Sequence, residues 1–293
     1  GRMDTLAARV GRVEAAVQHL QQLAALSFEV LDHLEVLPRA AELSRLFGLD
    51  VLSSFTRGTQ LRVEALLSRV ARAAGLLLLS ASQAQVRNQP ALERLPLVME
   101  PRSGFYWDPV LVLDFKGMYP SLIVAHNISF DTCLGMASRA SQGPCCRLGV
   151  RDEPWELGVS GAAESSALLS EGDVEDAQAD CPVRSVPSGC LFVAPSVKQG
   201  LMPLMLAEVT RLRSETKAAM KKAAPAMASR LNHKQFALKY FANVTYGYAG
   251  ASFSGRMPCA EIADAIVGTG RHALDEAADF IEASEPGAEV VYG

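Results

Sequence analysis

None of the six cysteines, at positions 133, 145, 146, 181, 190 and 259, belongs to a C-x-x-C pair, so the spacing argues against a zinc or dithiol redox site. The longest apolar run, Gly75 to Leu79, is far shorter than a membrane span. No charged segment leads into an apolar one at the start, so no secretory signal is read there. A net positive charge is lacking too: the formal charge is -4. No global basic field advertises nucleic acid, and any polyanion site has to come from local clustering. With 49% apolar and 20% charged residues, the expectation is a soluble, reduced, intracellular globular protein with no membrane partner.

What is present is helical at both ends. Leu6, Val10, Val13, Val17 and Leu20 recur at threes and fours within a helical region over 3–47. A helix over Ala40 to Phe47 is expected to stop at Gly48. Arg57-Gly58-Thr59-Gln60 reads as a turn, and helical spacing returns from Leu61 to Ala74. Gln83 to Arg94 reads as loop. Val110 to Phe115 is a continuous apolar run of the kind that suits a strand buried on both faces. Residues 136–190 are rich in Ser, Gly, Ala and Pro. From 151 to 180 nine acids (152, 153, 156, 164, 171, 173, 175, 176 and 180) stand against one base, Arg151, the composition of a flexible acidic insertion.

From Leu201 the pattern is helical again, is interrupted at Pro225, and resumes from about Ser229 to Tyr246, giving a helical hairpin. A last helix is expected over Cys259 to Ala283, stopped by Pro286-Gly287 before a strand from Ala288 to Tyr292. The ending on Glu-Val-Val-Tyr-Gly and the opening inside a helical pattern both read as a piece of a longer chain.

Three constellations could carry chemistry. Arg213, Lys217 and Lys221 are four apart and share a helix face. That face is either an ordinary solvated one or one side of a polyphosphate clamp. Lys239, Asn243, Tyr246 and Gly247 share a second face. It is either a site for a planar polar ligand or a core tyrosine with a hydrogen-bonded asparagine. Asp114 ends the apolar run and is either a turn former or a metal ligand. If the segment ending at Tyr292-Gly293 pairs beside that run, its next residues would face Asp114.

These residues carry a resemblance. DFKGMYPS (Asp114–Ser121) resembles the first palm motif of family B DNA polymerases, D-x-x-S-L-Y-P-S. KYFANVTYG (Lys239–Gly247) resembles their fingers motif, K-x-x-x-N-x-x-Y-G. GLMPLMLAEVTRLRSETK (Gly200–Lys217) is similar to the first fingers helix, and Arg57–Gln60 to a further family turn, R-G-S-Q. The motifs lie in the family's order and cover roughly residues 28–135 and 186–293. NVTYGYAGASF and FSGRMPC (residues 243–259) look most like the zeta, or translesion, branch.

The resemblance implies an α+β fold: a palm sheet with an inserted helical-hairpin fingers segment, preceded by connecting helices. The implied division is 1–98 connecting helices and start of palm, 99–192 palm with the acidic insertion, 193–249 fingers, and 250–293 palm. It implies transfer of a nucleotide from a dNTP to a primer 3′-hydroxyl, with two Mg²⁺ ions. Asp114 would supply a metal-binding carboxylate and Phe115 a backbone carbonyl. The N–H groups of Gly117 and Met118 would cradle the triphosphate. Tyr119 would lie under the sugar and exclude a 2′-hydroxyl. Arg213, Lys217 and Lys239 would grip the outer phosphates, and Asn243 and Tyr246 would line the nascent base pair. Primer–template DNA, a dNTP and accessory subunits are the implied partners, in the nucleus. An iron–sulfur cluster is expected only in a C-terminal region beyond these residues.

The sequence departs from the pattern at Gly117, where serine is common, and at Met118, where leucine is. It ends before the family's Asp-Thr-Asp-Ser, which carries the other metal-binding carboxylate. The piece alone is therefore expected to be inactive and to bind DNA weakly. A delta-type replicative polymerase, a catalytically dead polymerase-derived scaffold and a helical interaction module are the competing readings.

Overall fold

The computed structural model describes residues 2–78, 82–87, 94–136, 182–250, 256–285 and 287–293. Its first part is helical: α1 (Arg2–His33), α2 (Val36–Phe47), α3 (Val51–Thr56), α4 (Thr59–Ala73), α5 (Gln83–Arg87) and α6 (Met118–Ala125). Three short strands follow, β1 (Cys133–Met136), β2 (Val183–Ser185) and β3 (Cys190–Val193), and then α7 (Leu201–Met220), α8 (Pro225–Ala249) and α9 (Ala260–Ser284). The architecture is mixed, with helices around a small antiparallel sheet in the order β1-β3-β2.

The local chemistry accounts for most boundaries. Gly48 closes α2 in the left-handed region (φ 69°), its N–H donating to Ser44 O at 2.8 Å, as the sequence led us to expect. That helix starts at Val36 rather than Ala40, because Pro38 falls within the first turn, where a missing N–H costs nothing. Asp50 caps α3 by accepting from the Ser53 N–H. Arg57-Gly58 forms the turn between α3 and α4. Pro225 is not an interruption but the first residue of α8, the position where its fixed φ is preorganised for a helix. β2 and β3 form a hairpin closed at Gly189 (φ 81°), with Val183 opposite Val193 and Ser185 opposite Leu191. β1 pairs with β3 through a bulge at Gly135, whose φ of 98° favours glycine.

The core lies where the hairpin α7–α8 packs on α2, α4, α6 and α9. Phe47, Val63, Leu67, Ile123, Phe192, Met202, Leu206, Leu238, Phe241, Ile262 and Ile266 are all buried. The rings of Phe47 and Phe241 lie 5.6 Å apart and join α2 to α8. Burial of each such side chain stabilises by about 1.5–3 kcal/mol.

Four expectations need correction. Residues 110–115 form no strand. Leu111 and Val112 are 83% and 90% exposed, because an apolar run becomes a strand only where a neighbour takes its N–H and C=O groups. None of the described backbone hydrogen bonds does so. Residues 288–292 are likewise extended without strand pairing. Their neighbour lies earlier in the chain: Met99 N–H donates to Gly293 O at 2.8 Å and Arg102 N–H to Val291 O at 3.0 Å. Arg102 also pairs with Glu289. Third, Gln83–Arg87 is a short helix, not loop. Fourth, the expected insertion 136–190 is bounded by strands, and 183–190 belong to the sheet; the acidic stretch 151–180 lies outside the described residues, as do residues 253–255 of the FSGRMPC motif. In α1 the apolar spacing is present, yet Val13, Val17 and Leu20 are exposed. Among the described residues no helix is long and apolar enough to cross a membrane.

Candidate nucleotide-binding site

The site is built at the start of α6. Gly117 precedes the helix in the left-handed region (φ 66°, ψ 64°) and no side chain caps it. The opening N–H groups of α6 are therefore available to an anion. Ser121 N–H closes the first turn on Gly117 O at 3.1 Å, and the Ser121 hydroxyl donates to Lys116 O at 3.3 Å. Tyr119 follows, half-buried, with its ring centroid 4.6 Å from that of Tyr246 at 42° between planes. The two tyrosines come from segments far apart in the chain, and their contact brings α6 against α8. Tyr246 is held above the usual phenol pKa by burial, with Tyr119 and Asp264 adding to it.

Lys239, Asn243 and Gly247 are exposed on α8 and Tyr246 is half-buried. The Lys-Asn-Tyr stripe thus runs along an open face that ends at Tyr119. On α7, Arg211 is held between Glu208 and Glu215, whereas Lys217 is exposed and no described carboxylate pairs with it. Arg213 is half-buried, and its Nε has no hydrogen-bond partner among the described residues. The hairpin therefore separates a neutralised arginine from cationic groups that remain open to a polyanion.

Asp114 and Phe115 lie in the extended run before Gly117, both exposed, and no described hydrogen bond engages the Asp114 carboxylate. Carboxylate and carbonyl oxygens are the donors Mg²⁺ prefers, so Asp114 and Phe115 fit one such ion in kind. They do not fit two: among the described residues no group of three or more His, Cys, Asp or Glu could hold a metal. Of the residues singled out from the sequence, the structure brings Tyr119 and Tyr246 into contact. It sets Gly117 and Met118 directly before and at the start of the same helix.

The sequence reading missed a second cluster, which positions the hairpin. Asn127 adopts φ 54°, a conformation asparagine tolerates. Its Oδ1 accepts from Gly200 N–H at 2.8 Å, and its Nδ2 donates to Val193 O and Lys198 O at 2.8 and 2.9 Å. Ser129 Oγ accepts from Met202 N–H at 3.1 Å, and Asp131 Oδ1 from Leu201 N–H at 3.1 Å. These three side chains satisfy the opening donors of α7 from a loop some seventy residues upstream. Burial alone would raise the Asp131 pKa, but hydrogen bonds from Ser129, Leu201 N–H and Lys198 hold it below its ordinary value. Polar residues at alternate positions inside an otherwise apolar stretch (127, 129 and 131) were the available signal.

A third cluster is made of thiols. Cys133 Sγ lies 3.8 Å from Cys190 Sγ and is also hydrogen-bonded to the Cys259 thiol. Hydrogen bonding to Cys190 together with burial pushes the Cys133 pKa up, and the Cys133 thiol and burial do the same for Cys259.

The sequence profile of DNA polymerase family B matches residues 49–292. The chain belongs to that family. It is 42% identical over 281 residues to the DNA polymerase zeta catalytic subunit of Arabidopsis thaliana, which covers 94% of this chain and 14% of that protein. It is 30% identical over 277 residues to the DNA polymerase delta catalytic subunit of Bos taurus, covering 92% of this chain and 21% of that protein. The chain is thus more similar to this zeta relative than to this delta one. Among solved structures, that of the family B DNA polymerase from Pyrobaculum calidifontis superimposes with a TM-score of 0.59 at 27% identity, covering 88% of this chain and 28% of that one. The chain spans under a quarter of the length of the two catalytic subunits named above.

Proposed function

We propose that these residues are the palm and fingers portion of a zeta-type DNA-directed DNA polymerase. It acts in the nucleus, in translesion synthesis, on primer–template DNA with accessory subunits. The observation that carries the reading is the Tyr119–Tyr246 contact. It joins the DFKGMYPS segment to the KYFANVTYG segment, with the open cations of α7 and α8 on the same hairpin.

In the reaction the primer 3′-oxygen bonds to the α-phosphorus, the bond to the bridging oxygen breaks, and pyrophosphate leaves as the hydroxyl proton passes to solvent water. Mg²⁺ supplies charge neutralisation when bound. Asp114 and the Phe115 carbonyl would hold it. Gly117 and Met118 N–H groups meet the triphosphate at the uncapped start of α6. Arg213, Lys217 and Lys239 balance the outer phosphates, and positioning of this kind does most of the work in phosphoryl transfer. Tyr119 bounds the sugar, and Asn243 and Tyr246 bound the base pair. Residues 1–98, 99–192, 193–249 and 250–293 are the connecting, palm, fingers and second palm portions.

One carboxylate does not hold two ions in register. Primer extension with Mg²⁺ and dNTPs is therefore expected from the full-length protein and lost in its D114N variant. The 293-residue chain alone is expected to give none, and robust extension by that chain would refute the two-ion assignment. The polymerase reading itself fails if the full-length protein extends no primer.

A further inference from the structure

We infer that Gly270, on α9, is a positioning residue that sets the depth of the sugar pocket by giving the Tyr119 ring room to lie back. The inference rests on the nucleotide-site reading above and adds a determinant of sugar selectivity outside both motifs.

Tyr119 is packed between two helices. On one side its ring meets Tyr246 of α8, centroid to centroid at 4.6 Å. On the other it meets α9 where that helix carries glycine. A Cβ placed on Gly270 would stand 3.2 Å from Tyr119 Cε1, 3.3 Å from Met118 Sδ and 3.5 Å from Leu122 Cδ1. The first two separations are closer than ordinary carbon contacts, so a side chain there makes the ring and the thioether give way. Nothing in the backbone asks for glycine. Gly270 lies inside a regular helix, where alanine is the better helix former. The residue's smallness is used by the α6 side chains, not by the helix that carries it.

The direction of the effect follows. The Ser121 N–H to Gly117 O bond closes the turn that carries Tyr119, and Tyr246 stands on the ring's other side, so the ring is expected to yield edgewise, away from α9 and into the space assigned to the 2′ side of the sugar. A deoxyribose leaves that space empty, whereas a ribose fills it with its 2′-hydroxyl. A small advance of the ring therefore weighs on ribonucleotides and spares deoxynucleotides. Gly268, two residues earlier and so on nearly the opposite face of the same helix, is the control. A Cβ there meets Ser188 at 3.5 Å, ordinary contact, and none of its nearest atoms belongs to α6.

The test is single-nucleotide incorporation by the full-length polymerase with dCTP and CTP opposite a template guanine. G270A is expected to raise the ratio of kcat/KM for dCTP over CTP by about three- to tenfold, mainly through the ribonucleotide value. G268A is expected to leave the ratio unchanged. In a Y119A background, where no ring remains, G270A is expected to have no effect on the ratio. If crowding keeps G270A from folding, G270A/M118A removes the thioether and is read in the same way against M118A. A ratio that is unchanged or lower in G270A, an equal rise in G268A, or an effect that survives in Y119A overturns the role of Gly270. A ratio in wild type that Y119A does not alter overturns instead the placement of Tyr119 at the sugar.

Discussion

Tyr119 and Tyr246 lie ring against ring, 4.6 Å between centroids, although they come from segments far apart in the chain. The contact fixes the start of α6 to the last turns of α8. An aromatic pair of this geometry contributes about 0.5–1.5 kcal/mol beyond its buried area. A double-mutant cycle of Y119A and Y246A in urea unfolding is expected to return a coupling of about that size. Y246F should keep the ring contact and change little. The same phenol is held above its ordinary pKa by burial first, then by Tyr119 and Asp264. A raised pKa means that the folded state keeps the proton more tightly than the unfolded one. Its contribution is complete below the ordinary tyrosine pKa and is lost as pH rises through the folded value. Y246F should remove that part of the alkaline loss.

Asp131 governs the start of the hairpin. It accepts from Leu201 N–H while Asn127 and Ser129 take the N–H groups of Gly200 and Met202. D131A is expected to destabilise the chain by about 0.5–2 kcal/mol, the range for a lost helix cap, and D131N, which keeps an accepting Oδ1, by less. Its pKa is depressed against the pull of burial, so the folded state releases the proton more readily. The stabilisation is present above the ordinary aspartate pKa and is lost as pH falls through the depressed value. Thermal unfolding followed from neutral to acid pH should show that fall in wild type and a shallower one in D131N.

Much of this was legible in the residues, for identifiable reasons. The hairpin α7–α8 and helix α9 were readable because periodicity, Pro225 and the Pro286-Gly287 stop are local signals. The DFKGMYPS segment was readable through its resemblance to a family motif, although Gly117, which turns the chain into α6 in the left-handed region, departs from that motif. Residues 110–115 were misread because strand formation depends on a partner, and apolarity alone does not supply one. The Asn127–Ser129–Asp131 cap was missed because its donors lie near Gly200, and capping from a distant loop leaves no mark at the helix start itself. Gly270 was invisible for the same reason: its neighbours Met118 and Tyr119 belong to another helix.

The thiols give a prediction that depends on burial. Cys190 is fully buried and Cys133 and Cys259 have pKa values pushed up by neighbouring thiols and burial. The thiolate is the reactive form, so these three are expected to resist iodoacetamide at pH 8 in the folded chain and to react after denaturation. Peptide mapping by mass spectrometry distinguishes them from cysteines 145, 146 and 181. Rapid labelling of Cys133 or Cys259 under native conditions would show that the sheet and the start of α9 do not pack as described.

The hairpin's cations make the sharpest division between charge that is spent and charge that is available. Arg211 is held by Glu208 and Glu215, with hydrogen bonding to Glu208 the main reason its pKa is raised. Lys217 and Lys239 are exposed and have no described carboxylate partner. On the proposed nucleotide-site reading, a triphosphate drawn to the hairpin is expected to meet the two lysines and not the arginine. In full-length polymerase, K217A and K239A are each expected to lower kcat/KM for dNTP by about tenfold or more, since each removes a charge from the outer phosphates. R211A, which deletes a charge already balanced by two carboxylates, should leave kcat/KM within about twofold. Raising salt should narrow the gap between wild type and the lysine variants, because exposed charges are screened over roughly a Debye length of about 8 Å at physiological ionic strength. If R211A proves as damaging as K217A, the pairing on α7 does not decide which cations meet the nucleotide, and the clamp has to be placed elsewhere on the hairpin.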